Sequence, residues 1–215
     1  MQKVGGYNGL VIGVQFIVIL VIAFGILGPQ GVTPGTPPDQ ILAVAAQSAT
    51  PFLIQNLVVA SFSVTVVLGA LALRERLQAG APNRMRVAVI AASVASALFL
   101  AAGIIPFRGL PAIVAANDLA AFRVLEAVTQ GLLTSGIFAT GWTLLLWGWA
   151  GLSTKGLPTV LNYILLLAGV AALLAFAIPI FGLLAVVINV VWAFWLGYVL
   201  LAQPVTMGMQ SKPTM

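Results

Sequence analysis

The residue types that carry most protein chemistry are scarce in this sequence. It contains no histidine and no cysteine, and only four of its 215 residues are Asp or Glu. Composition therefore excludes Ser–His–Asp and Cys–His catalytic sets, thiolate zinc or iron–sulfur sites, and histidine-ligated haem. The Ser and Thr hydroxyls have no partner base, so we expect no catalytic residue, no bound metal and no enzymatic activity.

One carboxylate, Glu126, lies close to a long apolar stretch. It is about 12 residues, or about 18 Å, from the middle of the helix predicted there, which puts it at the membrane interface. Arg123 precedes it by three residues, the spacing of an ion pair on one helix face. We expect an interfacial Arg123–Glu126 pair, and a proton-coupling role for Glu126 is the alternative.

A second polar feature lies near the end of the chain, in its most apolar part. Asn189 is followed by Trp192 and Trp195, one and two helical turns later on a similar side. An amide beside two indoles is suited to a lipid headgroup, a quinone carbonyl or a carotenoid ring. The alternative is that Asn189 hydrogen-bonds a backbone carbonyl or an indole N–H.

The overall composition indicates a membrane protein. The chain is 61% hydrophobic and 6% charged, with a mean hydropathy of +1.15, whereas soluble domains carry about 25% charged residues. Backbone groups in hydrocarbon must be satisfied within the segment, and the alternation of a β-barrel is absent. We expect an all-α, polytopic transmembrane bundle forming a single domain over 1–215.

About 20 apolar residues make one crossing, and six segments reach this length. The last two form one uncharged block, which Pro179 and Gly182 divide into a tight helical hairpin. The predicted spans are about 10–28, 52–73, 87–105, 125–150, 159–178 and 182–202.

Charge placement predicts an N-in, C-in topology in a bacterial cytoplasmic membrane. Seven of the nine Lys and Arg residues fall on the side of the N-terminus, which is typical of the cytoplasmic side. Aromatic residues near the same helix ends agree with this orientation. The basic residues are Lys3, Arg74, Arg76, Arg84, Arg86, Lys155 and Lys212 inside and Arg108 and Arg123 outside; the aromatic residues are Tyr7, Trp147, Trp149, Tyr163 and Tyr198.

The outer connections contain two predicted short interfacial helices. The first follows a Pro/Gly loop, with Thr36 as N-cap and Asp39 in its first turn; Ile41, Leu42, Ala45 and Ala49 would lie on the membrane surface. The second runs from Pro111 to about residue 121, with Asn117 and Asp118 on its polar face.

Small residues recur at the spacing of close helix packing. The rows are Gly5, Gly9 and Gly13; Gly131, Ser135 and Ala139; and Ser93, Ala97 and Ala101. They predict helix contacts within this chain or, alternatively, with another subunit. Polar residues at membrane depth, including Gln15, Gln55, Ser61 and Thr65, are expected to exchange hydrogen bonds between helices.

The order of several segments resembles bacterial six-helix membrane proteins of unknown function. These segments are Pro-Pro-Asp-Gln-Ile-Leu, Ala-Leu-Arg-Glu-Arg-Leu and Trp-Gly-Trp-Ala-Gly-Leu-Ser-Thr-Lys-Gly-Leu-Pro, followed by Leu-Ala-Gly-Val and a Trp-rich last helix. The resemblance implies six helices and a short inner turn at Ser153–Pro158. It implies no catalytic residues.

Three functional hypotheses follow. The first is a non-catalytic accessory or scaffold subunit of a larger membrane complex, the second a small transporter or channel, and the third a lipid-, quinone- or carotenoid-binding protein. We expect no metal or haem cofactor and no nucleic-acid partner. Other membrane subunits are expected partners, as are anionic lipid headgroups beside Arg74, Arg76, Arg84 and Arg86.

Overall fold

The fold is taken from a computed structural model, which describes residues 1–175, 177–178 and 180–202, apart from the side chains at 180, 182 and 183. Pro179 and Lys212, used above for the hairpin and for orientation, lie outside the described residues. All regular secondary structure in the described ranges is helical. The predicted all-α class is confirmed.

Seven α-helices follow one another along this part of the chain. They are α1 (Gln2–Leu20), α2 (Pro38–Gln47), α3 (Thr50–Leu77), α4 (Pro82–Ala116), α5 (Leu119–Thr154), α6 (Thr159–Leu174) and α7 (Ile180–Ala202). Helix α1 continues without a break through a π-helical segment, Val21–Leu27, and one 3-10 turn, Gly28–Gln30.

Five of the helices are long and apolar enough to cross a membrane. They are Gln2–Gln30, Thr50–Leu77, Pro82–Ala116, Leu119–Thr154 and Leu184–Ala202. Helix α6 is apolar but has 16 residues, a length of about 24 Å at 1.5 Å per residue. The chain is therefore built as a multi-pass membrane protein.

Helix α4 differs from its predicted form. It runs for 35 residues and contains both Pro106 and Pro111, because helices of membrane bundles tolerate proline where neighbouring groups satisfy the freed carbonyls. The predicted separate helix from Pro111 to about residue 121 is thus wrong. Asn117 ends α4 in the left-handed conformation, with φ of 50°, and the Asp118 carboxylate accepts from the Ala121 N–H at 2.9 Å to begin α5.

The predicted helix after the Pro/Gly loop is present as α2, but two of its details are wrong. Its N-cap is Pro37, while Thr36 donates its hydroxyl to the Gly31 carbonyl within the loop. Leu42 and Ala45 are buried in a small cluster with Leu110 and Phe122. The apolar face of α2 therefore packs on α4 and α5 instead of lying on the membrane surface.

The main bundle is assembled mostly from consecutive helices, and its first and last helices also pack together. Helix α4 packs between α3 and α5, α5 also packs on α6, and α1 is held against α7 and α3. Large side chains that are essentially inaccessible, including Leu73, Met85, Leu144 and Leu161, fill the centre. The glycines bring the backbones of these helices close together.

The glycine row of α1 packs within the chain, as the first alternative predicted. A Cβ added at Gly9 would lie 2.8 Å from Gly197 Cα on α7, and one added at Gly13 would collide with the Phe194 ring. Gly5 lies against Ala72 of α3. Close approach of this kind provides the van der Waals contact that holds membrane helices together.

The other two rows face outward for the most part. Gly131 and Ser135 are exposed, and no atom of the described residues lies within 4 Å of a Cβ added at Gly131. On α4, Ser93 and Ala97 are exposed, while Ala92 and Ala95 are buried. Spacing alone does not specify which of several overlapping small-residue rows faces a neighbour.

Basic side chains gather at one end of the bundle, which we call the basic end. Arg76 Nε donates to the Gly156 carbonyl at 2.7 Å, and Arg84 donates to Ser153 Oγ at 2.8 Å with its guanidinium 4.2 Å from the Trp149 ring centroid. These contacts hold the turn between α5 and α6, which lies where Ser153–Pro158 was expected. The N-terminal ammonium approaches Glu75 at 3.5 Å at the same end.

Candidate functional site

Two adjacent cavities lie along the axis of the bundle. The central cavity, of about 160 Å³, is surrounded by α1, α3, α4, α5, α6 and α7. The wide cavity, of about 620 Å³, lies towards the end that carries α2 and the 31–37 loop. Gln55, Val59 and Leu133 line both cavities. The two cavities therefore share a wall and extend from the loop end towards the middle of the bundle.

Aromatic rings make up much of the central cavity wall. Phe62 lies between Phe16 and Phe99, with ring centroids at 4.8 and 5.9 Å. Trp147 meets Trp192 edge to face, with centroids 6.1 Å apart and an interplanar angle of 78°. Such pairs are more stable than burial alone would make them, and they give this cavity rigid apolar walls.

Two of the three residues proposed from the α7 pattern meet at the central cavity. Asn189 and Trp192 both line it, and the Trp192 indole N–H donates to Asn189 Oδ1. The indole N–H alternative for Asn189 is the one observed. Trp195 packs against the core without lining either cavity, since six residues on a helix amount to a rotation of about 600°, or 120° short of two full turns.

Trp147 is a site residue that the sequence pattern did not indicate. Its position near a helix end predicted an interfacial ring, but it is 2% exposed and lines the central cavity. Its Nε1 atom is buried and has no hydrogen-bond partner in the described part of the chain. Trp149, two residues later, is 56% exposed, as expected of an interfacial ring. The sequence Trp-Gly-Trp carries no signal that separates the two.

The wide cavity has a polar wall on α5. Glu126, Thr129 and Gln130 line it within about one helical turn, and Gln55 and Asn56 of α3 line it as well. The Thr129 hydroxyl is buried and lacks a hydrogen-bond partner within the described ranges. This wall combines an acidic group with a free hydroxyl.

The predicted Arg123–Glu126 ion pair is absent. Arg123 is exposed, whereas Glu126 is partly buried and lines the wide cavity. Among the residues that the structure describes, the one pair within 4.0 Å joins the N-terminal ammonium to Glu75. Residues three apart on a helix are neighbours only where both side chains turn to the shared edge, and here Glu126 turns inward.

Three of the polar residues expected to link helices, Gln15, Ser61 and Thr65, do so between α1 and α3, whereas Gln55 lines both cavities. Gln15 donates to Ser61 Oγ at 2.6 Å and accepts from the Thr65 hydroxyl at 3.1 Å, and Asn8 donates to the Thr65 carbonyl at 2.8 Å. Each polar side chain in this group has a protein partner. The group therefore fastens α1 to α3 and is separate from the unpartnered atoms of the cavities.

Comparison of the chain with protein-family models, with curated proteins and with solved structures gives no match.

Proposed function

We propose that this protein is a non-catalytic, multi-pass protein of the bacterial cytoplasmic membrane that binds an amphipathic small molecule between its helices. The ligand classes are those expected from the sequence: a lipid, a quinone or a carotenoid. One observation carries the proposal. Two buried polar atoms that have no hydrogen-bond partner among the described residues, Thr129 Oγ1 and Trp147 Nε1, belong to residues that line two adjacent cavities.

The energetic argument concerns these two atoms. A buried donor or acceptor without a partner costs about 1–3 kcal/mol, and a ligand carbonyl or hydroxyl at the Trp147 N–H would recover that cost. Small-molecule sites typically enclose about 300–1,000 Å³ with mostly apolar walls and a few polar groups. The wide cavity, at about 620 Å³, has this size, and the central cavity extends it into the aromatic core.

The ligand is expected to lie with its more polar part in the wide cavity and its more apolar part, with one carbonyl or hydroxyl at the Trp147 N–H, in the central cavity. The polar side chains Glu126, Thr129 and Gln130 are on the first of these, while the rings of Phe16, Phe62 and others surround the second. Burying an apolar group there gains about 25 cal/mol per Å² of surface removed from water.

The orientation proposed for the protein is N-in and C-in. The basic end, with Arg74, Arg76, Arg84 and Arg86, then faces the cytoplasm and contacts anionic lipid. Six crossings are needed for this, so α6, with its 16 residues, must be the fifth. Short membrane spans are accommodated by local thinning of the bilayer. The wide cavity would consequently lie towards the outer leaflet.

Binding is tested with a benzoquinone carrying a decyl tail, measured by quenching of tryptophan fluorescence in dodecyl maltoside. Leu133→Phe narrows the junction of the two cavities and is expected to weaken quenching severalfold. Val128→Phe is the matched control, because Val128 is on the same helix and 45% exposed. Equal quenching of wild type and both variants would contradict the proposal.

The accessory-subunit hypothesis remains a second candidate, and one observation favours it. Gly131 and Ser135 present a small-residue face on α5 that no other part of the described chain covers. Small-residue faces are where membrane helices approach each other closely. Purification in a mild detergent tests this: a stoichiometric larger complex that Gly131→Leu dissociates would support it, and a lone protein would count against it.

A further inference from the structure

The charge on the wall of the wide cavity is of one sign. Glu126 is the one ionisable side chain among the described residues that line it. The two cations nearest in sequence, Arg108 and Arg123, are both exposed and belong to neither cavity. No Lys or Arg of the described chain lies within 4.0 Å of the Glu126 carboxylate. Glu126 is partly buried, and a carboxylate partly withdrawn from water without a counter-charge favours a cation beside it.

Aromatic residues line part of the same space. Phe24 from the π-helical segment, Phe52 from α3 and Phe122 from α5 all line the wide cavity. The faces of aromatic rings attract cations, and alkylated ammonium groups are often held by several rings together with an acidic residue. An anionic ligand would meet Glu126, and the described lining residues include no Lys or Arg to offset that charge.

We infer that the wide cavity binds the cationic head of an organic amphiphile, with Glu126 as its counter-charge and Phe24, Phe52 and Phe122 around it. The apolar part of the ligand then occupies the central cavity. This inference rests on the proposed function, since it names the class of ligand taken by the same two cavities.

Two ions of the same shape and opposite charge provide the test. Tetraphenylphosphonium and tetraphenylborate are titrated calorimetrically into the protein in dodecyl maltoside, with empty micelles as the blank. Wild type is expected to bind the cation at least about tenfold more tightly than the anion, and Glu126→Gln to lose that preference, which corresponds to about 1.4 kcal/mol. Tight binding of the cation by Glu126→Gln would overturn the inference.

A matched variant separates the cavity charge from general surface attraction. Asp39→Asn removes a carboxylate at the same end of the bundle, where Asp39 is exposed on the first turn of α2 and lines neither cavity. It is expected to keep the cation preference. Loss of the preference in Asp39→Asn as well as in Glu126→Gln would show surface attraction and overturn the inference.

The source of the cation is resolved by competition. Displacement of tetraphenylphosphonium by lysophosphatidylcholine would assign the site to a lipid headgroup, and displacement by dodecyltrimethylammonium alone would assign it to a free amphiphile; both support the inference. Failure is also separable from failure of the proposed function. One outcome is that wild type binds the decyl benzoquinone and yet shows no preference for tetraphenylphosphonium over tetraphenylborate, with Glu126→Gln binding tetraphenylphosphonium as tightly as wild type does. In that case only this inference is wrong, and the proposed function stands.

Discussion

The Trp192 indole donates its N–H to the amide oxygen of Asn189, one turn earlier on the same helix. Both side chains are buried, at 3% and 7% exposure. Asn189→Leu removes the acceptor and leaves the indole N–H unpaired, so we expect it to lower the free energy of unfolding by about 1 kcal/mol. Thermal unfolding in detergent measures this. Val191→Leu, at an exposed position on α7, should leave the midpoint unchanged.

Gly9 and Gly131 are expected to respond in opposite ways to the same substitution. A Cβ at Gly9 would lie 2.8 Å from backbone atoms of Gly197, whereas a Cβ at Gly131 meets nothing within 4 Å. Gly9→Ala therefore has to separate α1 from α7 and should destabilise the fold by about 1–3 kcal/mol. Gly131→Ala should be neutral or slightly stabilising. Thermal unfolding in detergent compares the two variants. Equal unfolding midpoints would show that α1 and α7 are farther apart than described.

Arg76 and Arg74 provide a similar comparison at the basic end. Arg76 donates to the Gly156 carbonyl and ties α3 to the turn between α5 and α6, while Arg74 is exposed. Because hydrogen bonds from charged groups are stronger than neutral ones but solvent weakens them here, Arg76→Met should cost about 1 kcal/mol. Arg74→Met should cost less than half of that. Urea unfolding monitored by circular dichroism distinguishes them.

Trp147→Phe tests the unpartnered indole N–H directly. It keeps an aromatic ring in the central cavity but removes the donor, so affinity for the decyl benzoquinone should fall about three- to tenfold. Trp195→Phe is the matched control, because Trp195 lines neither cavity. The quenching titration of the two variants gives the answer, and equal affinities would remove Trp147 from the site.

Topology can be tested at three connections. An alkaline phosphatase fused between Leu77 and Asn83 or after Lys155 should be inactive, since these positions are predicted to be cytoplasmic. A fusion in the 31–37 loop should be active. Activity at the first two positions would invert the proposed orientation, and with it the leaflet to which the wide cavity belongs.

The sequence predicts the long helices and the basic end because both depend on local composition. Uncharged runs of membrane length form helices in the structure. The arginines predicted to share one side of the membrane lie at one end of the bundle: Arg74, Arg76, Arg84 and Arg86. Helix continuity through Pro106 and Pro111 was not predictable in this way. A proline ends an isolated helix, and its tolerance within a bundle depends on neighbours that a single segment does not reveal.

The site was predictable only in part, because it also depends on contacts between helices. The Asn189 and Trp192 spacing on one helix places both at the central cavity, as a helical period requires. The positions of Trp147, Thr129 and Glu126 depend on how α5 is rotated against its neighbours α2, α3, α4 and α6. Helix rotation is set by interlocking contacts such as Gly136 against Phe99 and Gly141 against Gly169. A periodic pattern in one helix does not contain that information.

The π-helical segment Val21–Leu27 has a consequence for how this chain tolerates change in length. A π-helical stretch holds more residues per turn than an α-helix, and such bulges accommodate an inserted residue. Deleting one residue between 21 and 27 should convert the stretch to regular α-helix while leaving Gly5, Gly9 and Gly13 in register against α7. Because the deletion removes the residue that the wider turn takes up, the chain beyond residue 27 should keep its orientation. The first helix can therefore be shortened by one residue there without turning Gly28 away from the wide cavity, whereas a deletion within Gln2–Leu20 would rotate everything that follows by about 100°.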